Sequence, residues 1–535
     1  MLVWMRSSRR FLQTFAKLIA MKDELLTGPR LLLLNIALGL GTFIQVLDTS
    51  IANVSIPYIA GSLAVSANDG TWVITSFAAS NAIVLPLTGW LSDYFGRVRL
   101  FVYSVFLFSL TSFMCGLATD LTMLVIFRVL QGAVAGSLIP LSQSLIVTNN
   151  PPEKRGAALG FWAMVVVVAP VVGPILGGYL TEEYSWPWIF YINVPIGILS
   201  GVIVALLLSD RESDIVRNPI DWVGLFFLTV GVACLQVMLD KGEDFDWFDS
   251  NAIRILGITS AIGISYFIIW TYYQPFPIVS FKFFADRNFT IGTIVTTLGF
   301  LAFFSSTVVI PLWLQTVQGY TAYRAGLAVA PIGIFPVLLS FFVGQYLQIL
   351  DLRLWTALCF CLFAFGFFMQ ANFISEVSIQ HIMLVRLFQG LGLAIFFIPL
   401  VQLSLGNIPN ADYARASGLF NFIRILVGSG FGTSLSVALW DRLEIFHHGR
   451  LTELTTLYDP QVIQLYEQLP HISSNFTRGV IDRVFDMEIA QQAYMLATND
   501  LSWMVAWTFI FMVPILLFCK PVHKHQVDVS QSVQH

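Results

Sequence analysis

Charge is the first thing this chain has little of. Across 535 residues only 11% are Asp, Glu, Lys or Arg, while 56% are hydrophobic; a soluble domain carries roughly 25% charged residues. That excludes a water-soluble globular protein. With 28 basic against 32 acidic residues and a net charge of −4, a basic nucleic-acid-binding surface is not suggested either. Cysteine is scarce too: Cys115, Cys234, Cys359, Cys361 and Cys519 all fall in apolar runs, where they act as small hydrophobes and imply no disulfide framework. There is no GxxxxGK[ST] loop, which disfavours an ATP-driven pump, and no HExxH or CxxC signature, so no metal site is expected.

Long apolar runs are abundant. A membrane-spanning helix needs about 20 mostly apolar residues, and about fourteen such runs occur between residues 31 and 519, the last two over 413–440 and 501–519. The fold class is therefore an all-α polytopic membrane protein. Alternate loops carry Arg97 and Arg99, Lys154 and Arg155, Arg211 and Arg217, Lys282 and Arg287, Arg353, Arg415, and Lys520 and Lys524, whereas loops 59–70, 182–187 and 374–377 have no Lys or Arg. Cytoplasmic loops are the basic ones, which puts both termini in the cytoplasm. Residues 1–30 read as a cytoplasmic interfacial segment, or as residues of little consequence if translation starts at Met21. Residues 441–500 read as one long external loop holding amphipathic helices outside the bilayer.

The chain repeats itself. "FRVLQGAVAGSLIP" from Phe127 returns as "VRLFQGLGLAIFFIP" from Val385, an offset of 258 between Arg128 and Arg386. Six spans with short loops fill roughly 180–200 residues, so the offset leaves room for two more. The expected plan is 6+2+6: a six-helix bundle over 31–209, a linker with two inserted helices over 210–289, a second bundle over 290–519, and a tail over 520–535. Repeated bundles with a site at their interface suit a secondary transporter.

Arg128, Gln131 and Gly132 share one helix face, with Gly136 one turn on; Gly132 and Gly136 form a small-xxx-small groove for close helix approach. An arginine inside a span costs about 2.5–3.5 kcal/mol on insertion and calls for a partner. Depth along the first helix makes Asp48 the best candidate, on a polar face with Gln45, Ala52 and Ser55. Asp48 with Arg128 is the candidate proton-coupling pair; the alternative is that the Asp48 carboxylate only pins helices together. Gln45, Asn53, Arg386, Gln389, Asn421 and Arg424 are candidate polar residues of a substrate cavity, with hydrogen bonding between helices as the other reading. Gly89, Asp93, Gly96, Arg97 and Arg99 crowd a short basic loop, a candidate cytoplasmic gate in which Asp93 would meet the positive end of the following helix. "VVVVAPVVGPILGGYL", with Pro170, Gly173, Pro174, Gly177 and Gly178, reads as a poor helix, since proline costs about 3 kcal/mol and glycine about 1 in a helix interior.

Together "GWLSDYFGRVR", "FRVLQG", "APVVGPILGG", "QVLDTSIANVSIPYIAG", "WIFYINVPIG", "LDKGEDFDWF" and "RNFTIG" resemble the major facilitator superfamily, in particular its fourteen-helix drug:proton antiporter branch (DHA2), and within it the EmrB-type exporters. The resemblance implies the superfamily fold in the bacterial inner membrane and proton-coupled multidrug efflux powered by the proton gradient, with no cofactor. It implies substrates that are small hydrophobic or amphipathic molecules. It also implies partners: an EmrA-type periplasmic adaptor (a membrane fusion protein), which the 441–500 segment would contact, and a TolC-type outer-membrane channel. It makes the Pro170–Gly178 stretch the antiporter motif, packed across the bundle interface on the tenth helix as a hinge and sliding seam. Export of one endogenous metabolite, such as a siderophore or fatty acid, is the narrower alternative, and a non-transporting receptor or enzyme on the same fold is the remote one. No cluster of acid, base and nucleophile argues for an enzyme.

Overall fold

The structure is a computed structural model describing residues 26–347, 350–454 and 478–521. The expected interfacial segment, apart from residues 26–30, and most of the tail lie outside the described residues. Among the described residues fourteen helices are long and apolar enough to span a membrane: α1 (Gly28–Ser62), α2 (Trp72–Phe95), α3 (Arg97–Gly116), α4 (Leu121–Asn149), α5 (Glu153–Glu183), α6 (Trp188–Leu208), α7 (Trp222–Lys241), α8 (Asn251–Tyr273), α9 (Arg287–Thr316), α10 (Tyr323–Tyr346), α11 (Leu352–Gln370), α12 (Ile379–Leu405), α13 (Tyr413–Glu453) and α14 (Asp482–Phe518). Helix starts follow local chemistry. The Asp120 and Asp286 carboxylates accept the backbone N–H groups of Met123 and Phe289 at 2.9 and 2.8 Å, capping α4 and α9.

Packing repeats along the chain with a shift of eight helices. In the first half α1 packs on α5 and α6, α3 on α4 and α6, and α2 on α4; in the second, α9 packs on α13 and α14, α11 on α12 and α14, and α10 on α12. Helices α7 and α8 pair with each other, and α7 leans on both α2 and α13. The close approaches repeat as well. A Cβ on Gly132 would collide with the Phe77 carbonyl of α2, and one on Gly390, 258 residues later, would stand 2.6 Å from the Ile332 carbonyl of α10. The small-xxx-small groove is thus an α2–α4 contact, with Gly136 set against the Asn81 carbonyl.

The stretch Val165–Leu180 lies within one continuous α-helix, Pro152–Glu183, prolines included. Pro174 removes the N–H that would bond the Pro170 carbonyl, and the Ser50 hydroxyl of α1 donates to that carbonyl instead, at 3.2 Å. The helices expected within 441–500 are, among the described residues, continuations of the last two spans: helical backbone runs on from α13 to Leu454 and leads into α14 from Arg478, and the two extensions pack together through Trp440, whose indole N–H donates to Thr498 at 2.9 Å, and through His447 and Asp500 at 2.8 Å.

Candidate functional site

Asp48 and Arg128 meet. Their side chains are 1% and 0% exposed, and Arg128 Nη1 donates to Asp48 Oδ2 in a charge-assisted bond. The other carboxylate oxygen, Oδ1, accepts from Gln131 Nε2 at 3.1 Å and from Asn193 Nδ2 of α6 at 2.9 Å. Arg128 also donates from Nε to the Val73 carbonyl at 2.9 Å and from Nη1 to Gln131 Oε1 at 2.8 Å, with the Phe77 ring 4.2 Å from its guanidinium carbon. Four helices, α1, α2, α4 and α6, therefore converge on one carboxylate–guanidinium pair. Sequence reasoning passed over Asn193, although it stands inside the quoted "WIFYINVPIG"; a buried amide beside a proline-marked helix start was its only signal. Gln45 lies one turn away, also buried, with its Oε1 lacking a hydrogen-bond donor. Asn53 is exposed and, five residues on, points away from this cluster, so it does not share the face of Asp48.

Applying the 258-residue offset to Asp48 gives Ser306. Arg386, 2% exposed, donates to the Ser306 carbonyl at 3.2 Å and to Gln389 Oε1 at 2.9 Å. Gln389 donates to Gln370, which donates in turn to the hydroxyls of Ser306 and Ser502 at 3.0 and 2.8 Å. The second bundle thus keeps the arginine and the glutamine but, among the described residues, gives the arginine no carboxylate.

The two bundles are joined at the face that carries the basic loops. Arg415 of α13 pairs with Asp93 of α2 through Nη2 and also donates from Nε at 2.7 Å. Arg97 Nη1 donates to the Asn410 carbonyl at 2.9 Å, and Nη2 to that of Ala411. Gly89 lies flat under Arg415, where an added Cβ would stand 2.9 Å from its Cα. Contrary to expectation, Asp93 does not serve the start of α3; Glu212 of the linker does, accepting from the N–H groups of Val98 and Arg99 at 3.0 and 2.9 Å. Gly96, at φ +88°, has a conformation that strains any other residue, and a Cβ there would also collide with Glu212. The Arg99 residue is exposed. One step deeper, Ser417 donates to Gln143 Oε1 of α4 at 2.6 Å and Asn421 donates to the same oxygen at 3.0 Å. Arg424, 3% exposed, donates to Asn421 Oδ1 at 2.7 Å. Arg415 and Glu212 escaped sequence reasoning because each acts on a residue more than 100 positions away.

The antiporter-motif glycines mark a seam, but not the expected one. A Cβ on Gly173 would stand 2.6 Å from Ser50 Cβ, and one on Gly177 would stand 3.1 Å from the Ile51 carbonyl, both on α1 in the same bundle, while Gly178 faces open space. Helix α5 does also pack on α10. There the small residues are Gly156 and Gly160, facing Gly344 and the Ser340 carbonyl, with Val171 against Gly333.

A family model described as Major Facilitator Superfamily matches residues 38–433. The chain is 45% identical to the multidrug export protein EmrB of Haemophilus influenzae, over 94% of this chain and 98% of that one. It is 44% identical to the fatty acid resistance protein FarB of Neisseria gonorrhoeae over 93% and 97%, and 43% identical to EmrB of Escherichia coli K12 over 93% and 96%. Among solved structures, the human organic anion transporter MFSD10 (TETRAN) superposes with a TM-score of 0.54 at 12% identity, covering 92% of this chain and 100% of that one, a likeness of fold alone. With fourteen apolar helices packed as two repeated bundles around an inserted pair, and relatives this similar along nearly the whole length, the chain belongs to the major facilitator superfamily as an EmrB-type multi-pass membrane transporter.

Proposed function

We propose that this protein exports hydrophobic and amphipathic small molecules across the bacterial inner membrane in exchange for protons, with Asp48 as the proton-coupling acid. The observation that carries this is the buried Asp48–Arg128 pair held by α1, α2, α4 and α6. Protonating the carboxylate removes the charge that compensates Arg128. Breaking a buried pair by removing one partner costs about 3–5 kcal/mol, while one elementary charge crossing 100 mV supplies about 2.3 kcal/mol. Proton entry and helix rearrangement are therefore matched in scale. Arg128 keeps the Val73 carbonyl and Gln131 as acceptors when Asp48 is neutral.

The basic face belongs in the cytoplasm. The Asp93–Arg415 and Arg97 contacts then hold the cytoplasmic end shut, the arrangement of a carrier facing the periplasm. Substrate would be handed to an EmrA-type adaptor and a TolC-type channel. The paired α13–α14 extensions support that reading, since they expose Ile445 (68%), Phe446 (55%) and Met487 (71%) on an otherwise polar projection. As a second reading, the similarity to a protein named for fatty acid resistance favours a narrower range centred on fatty acids.

Purified protein in liposomes tests the proposal. Ethidium and pyrenebutyrate movement should accelerate when a proton gradient is imposed and stop when it is collapsed. Movement of either compound at an unchanged rate without a gradient would overturn proton coupling.

A further inference from the structure

Among the described residues three arginines are almost fully buried: Arg128, Arg386 and Arg424. Arg128 has a carboxylate, although its Nη2 lacks an acceptor, and Arg386 has a backbone carbonyl and an amide oxygen. Arg424 has less. It is 3% exposed and donates to the Asn421 amide oxygen, with its Nε–H buried and without an acceptor; among the described residues no carboxylate pairs with it. It stands eleven residues into α13 from Tyr413, about 16 Å from that end of the helix, which is close to mid-membrane. An arginine at that depth calls for a partner.

Aromatic rings surround the guanidinium. The Phe300 ring of α9 lies 4.5 Å from its central carbon and the Phe397 ring of α12 lies 4.8 Å away, both within cation–π range. Trp162 of α5, from the opposite bundle, packs on Phe397 with ring centroids 5.6 Å apart. The backbone of α13 is π-helical over Arg424–Gly430, a geometry that recurs at functional sites because it frees backbone groups and re-aims side chains. Immediately toward the basic face, the Gln143–Ser417–Asn421 contact ties the two bundles together. Arg424 therefore lies buried where the two bundles meet, just beyond the closed seam.

We infer that Arg424, flanked by Phe300 and Phe397, is a substrate-binding site for the deprotonated acid group of an amphipathic anion. A guanidinium binds a carboxylate or comparable oxyanion through two parallel N–H bonds, and the missing Nε–H acceptor is one of them. The rings receive an aromatic or alkyl body next to the acid group as the bundles part. Neutral and cationic substrates have nothing to gain from this arginine and would use the apolar walls alone.

The inference rests on the export reading above. The test uses 1-pyrenebutyrate and its neutral amide as matched probes, bound to the purified full-length protein and followed by pyrene fluorescence. Wild type is expected to bind the acid at least tenfold more tightly than the amide. In R424Q the acid's Kd should rise at least tenfold while the amide's changes less than twofold; R424K, which keeps the charge but loses the fork, should fall between. Equal losses for both probes in R424Q, or no loss for either, would overturn the site. Ethidium efflux from cells carrying the same variants separates the two proposals: retained ethidium efflux with no acid preference overturns the anion site alone, whereas a wild type that neither expels ethidium nor binds pyrenebutyrate overturns both.

Discussion

In the first bundle a buried arginine faces a carboxylate, and in the second, 258 residues later, the matching arginine faces a serine and a chain of glutamines. The surroundings are otherwise alike: the same helix, the same glutamine one turn on, the same glycine groove against the neighbouring helix. Two sites of common architecture thus differ in one titratable group. Only the first holds a carboxylate; the second is made of a guanidinium, amides and hydroxyls. Under the export mechanism proposed above, the first half is the one that exchanges protons.

That contrast can be broken from either side. The largest effect is expected from D48S, which gives the first bundle the second bundle's residue. Arg128 is left buried without its counter-charge, at a cost of about 3–5 kcal/mol, so thermal unfolding in detergent should shift strongly downward and gradient-driven transport should cease. S306A, at the equivalent place, removes the hydroxyl's two hydrogen bonds with Gln370, each worth about 1 kcal/mol, and leaves transport intact; a fall as large as that of D48S would equate the two sites.

A smaller effect sharpens the difference between seams within a bundle and seams between bundles. Gly173 faces Ser50 and Ile51 within the first bundle, while Gly344 faces the Gly156 carbonyl of the other bundle. G173L should destabilise the fold by about 1–3 kcal/mol through overpacking. G344L should instead leave melting nearly unchanged and hold the basic end apart, read as a lower cross-linking yield between cysteines placed at 156 and 344 neighbours. G178L should do neither, since nothing lies within 4 Å of that position. The smallest expected effect belongs to the partly exposed Asp93–Arg415 pair. Breaking it by D93N should slow transport a few-fold, and the swapped pair D93R/R415D should recover part of the loss; identical rates in all three would remove it from the gate.

Much of this was open to sequence reasoning, for reasons that can be named. Helix count and the repeat follow from hydropathy and offset. Asp48 and Arg128 could be paired because depth along two antiparallel helices is a matter of 1.5 Å per residue, and a buried cation demands a partner. Rotation about a helix axis is harder. The α5 glycines were expected on α10, whereas 173 and 177 face α1 and the between-bundle contact falls to 156 and 160, on another face of the same helix. Cross-bundle partners such as Arg415 and Gln143 lie too far along the chain for spacing to connect them. That the helices of 441–500 continue α13 and α14 directly is hidden because charge dilutes their apolar positions past residue 440 and before 501.

The account turns on which bundle titrates. Substrate-induced proton release from purified protein, followed with a pH dye, measures it directly in wild type, D48N and R386Q. The account predicts release from wild type, none from D48N, and release retained in R386Q. An undiminished signal from D48N, or its loss in R386Q alone, would contradict it.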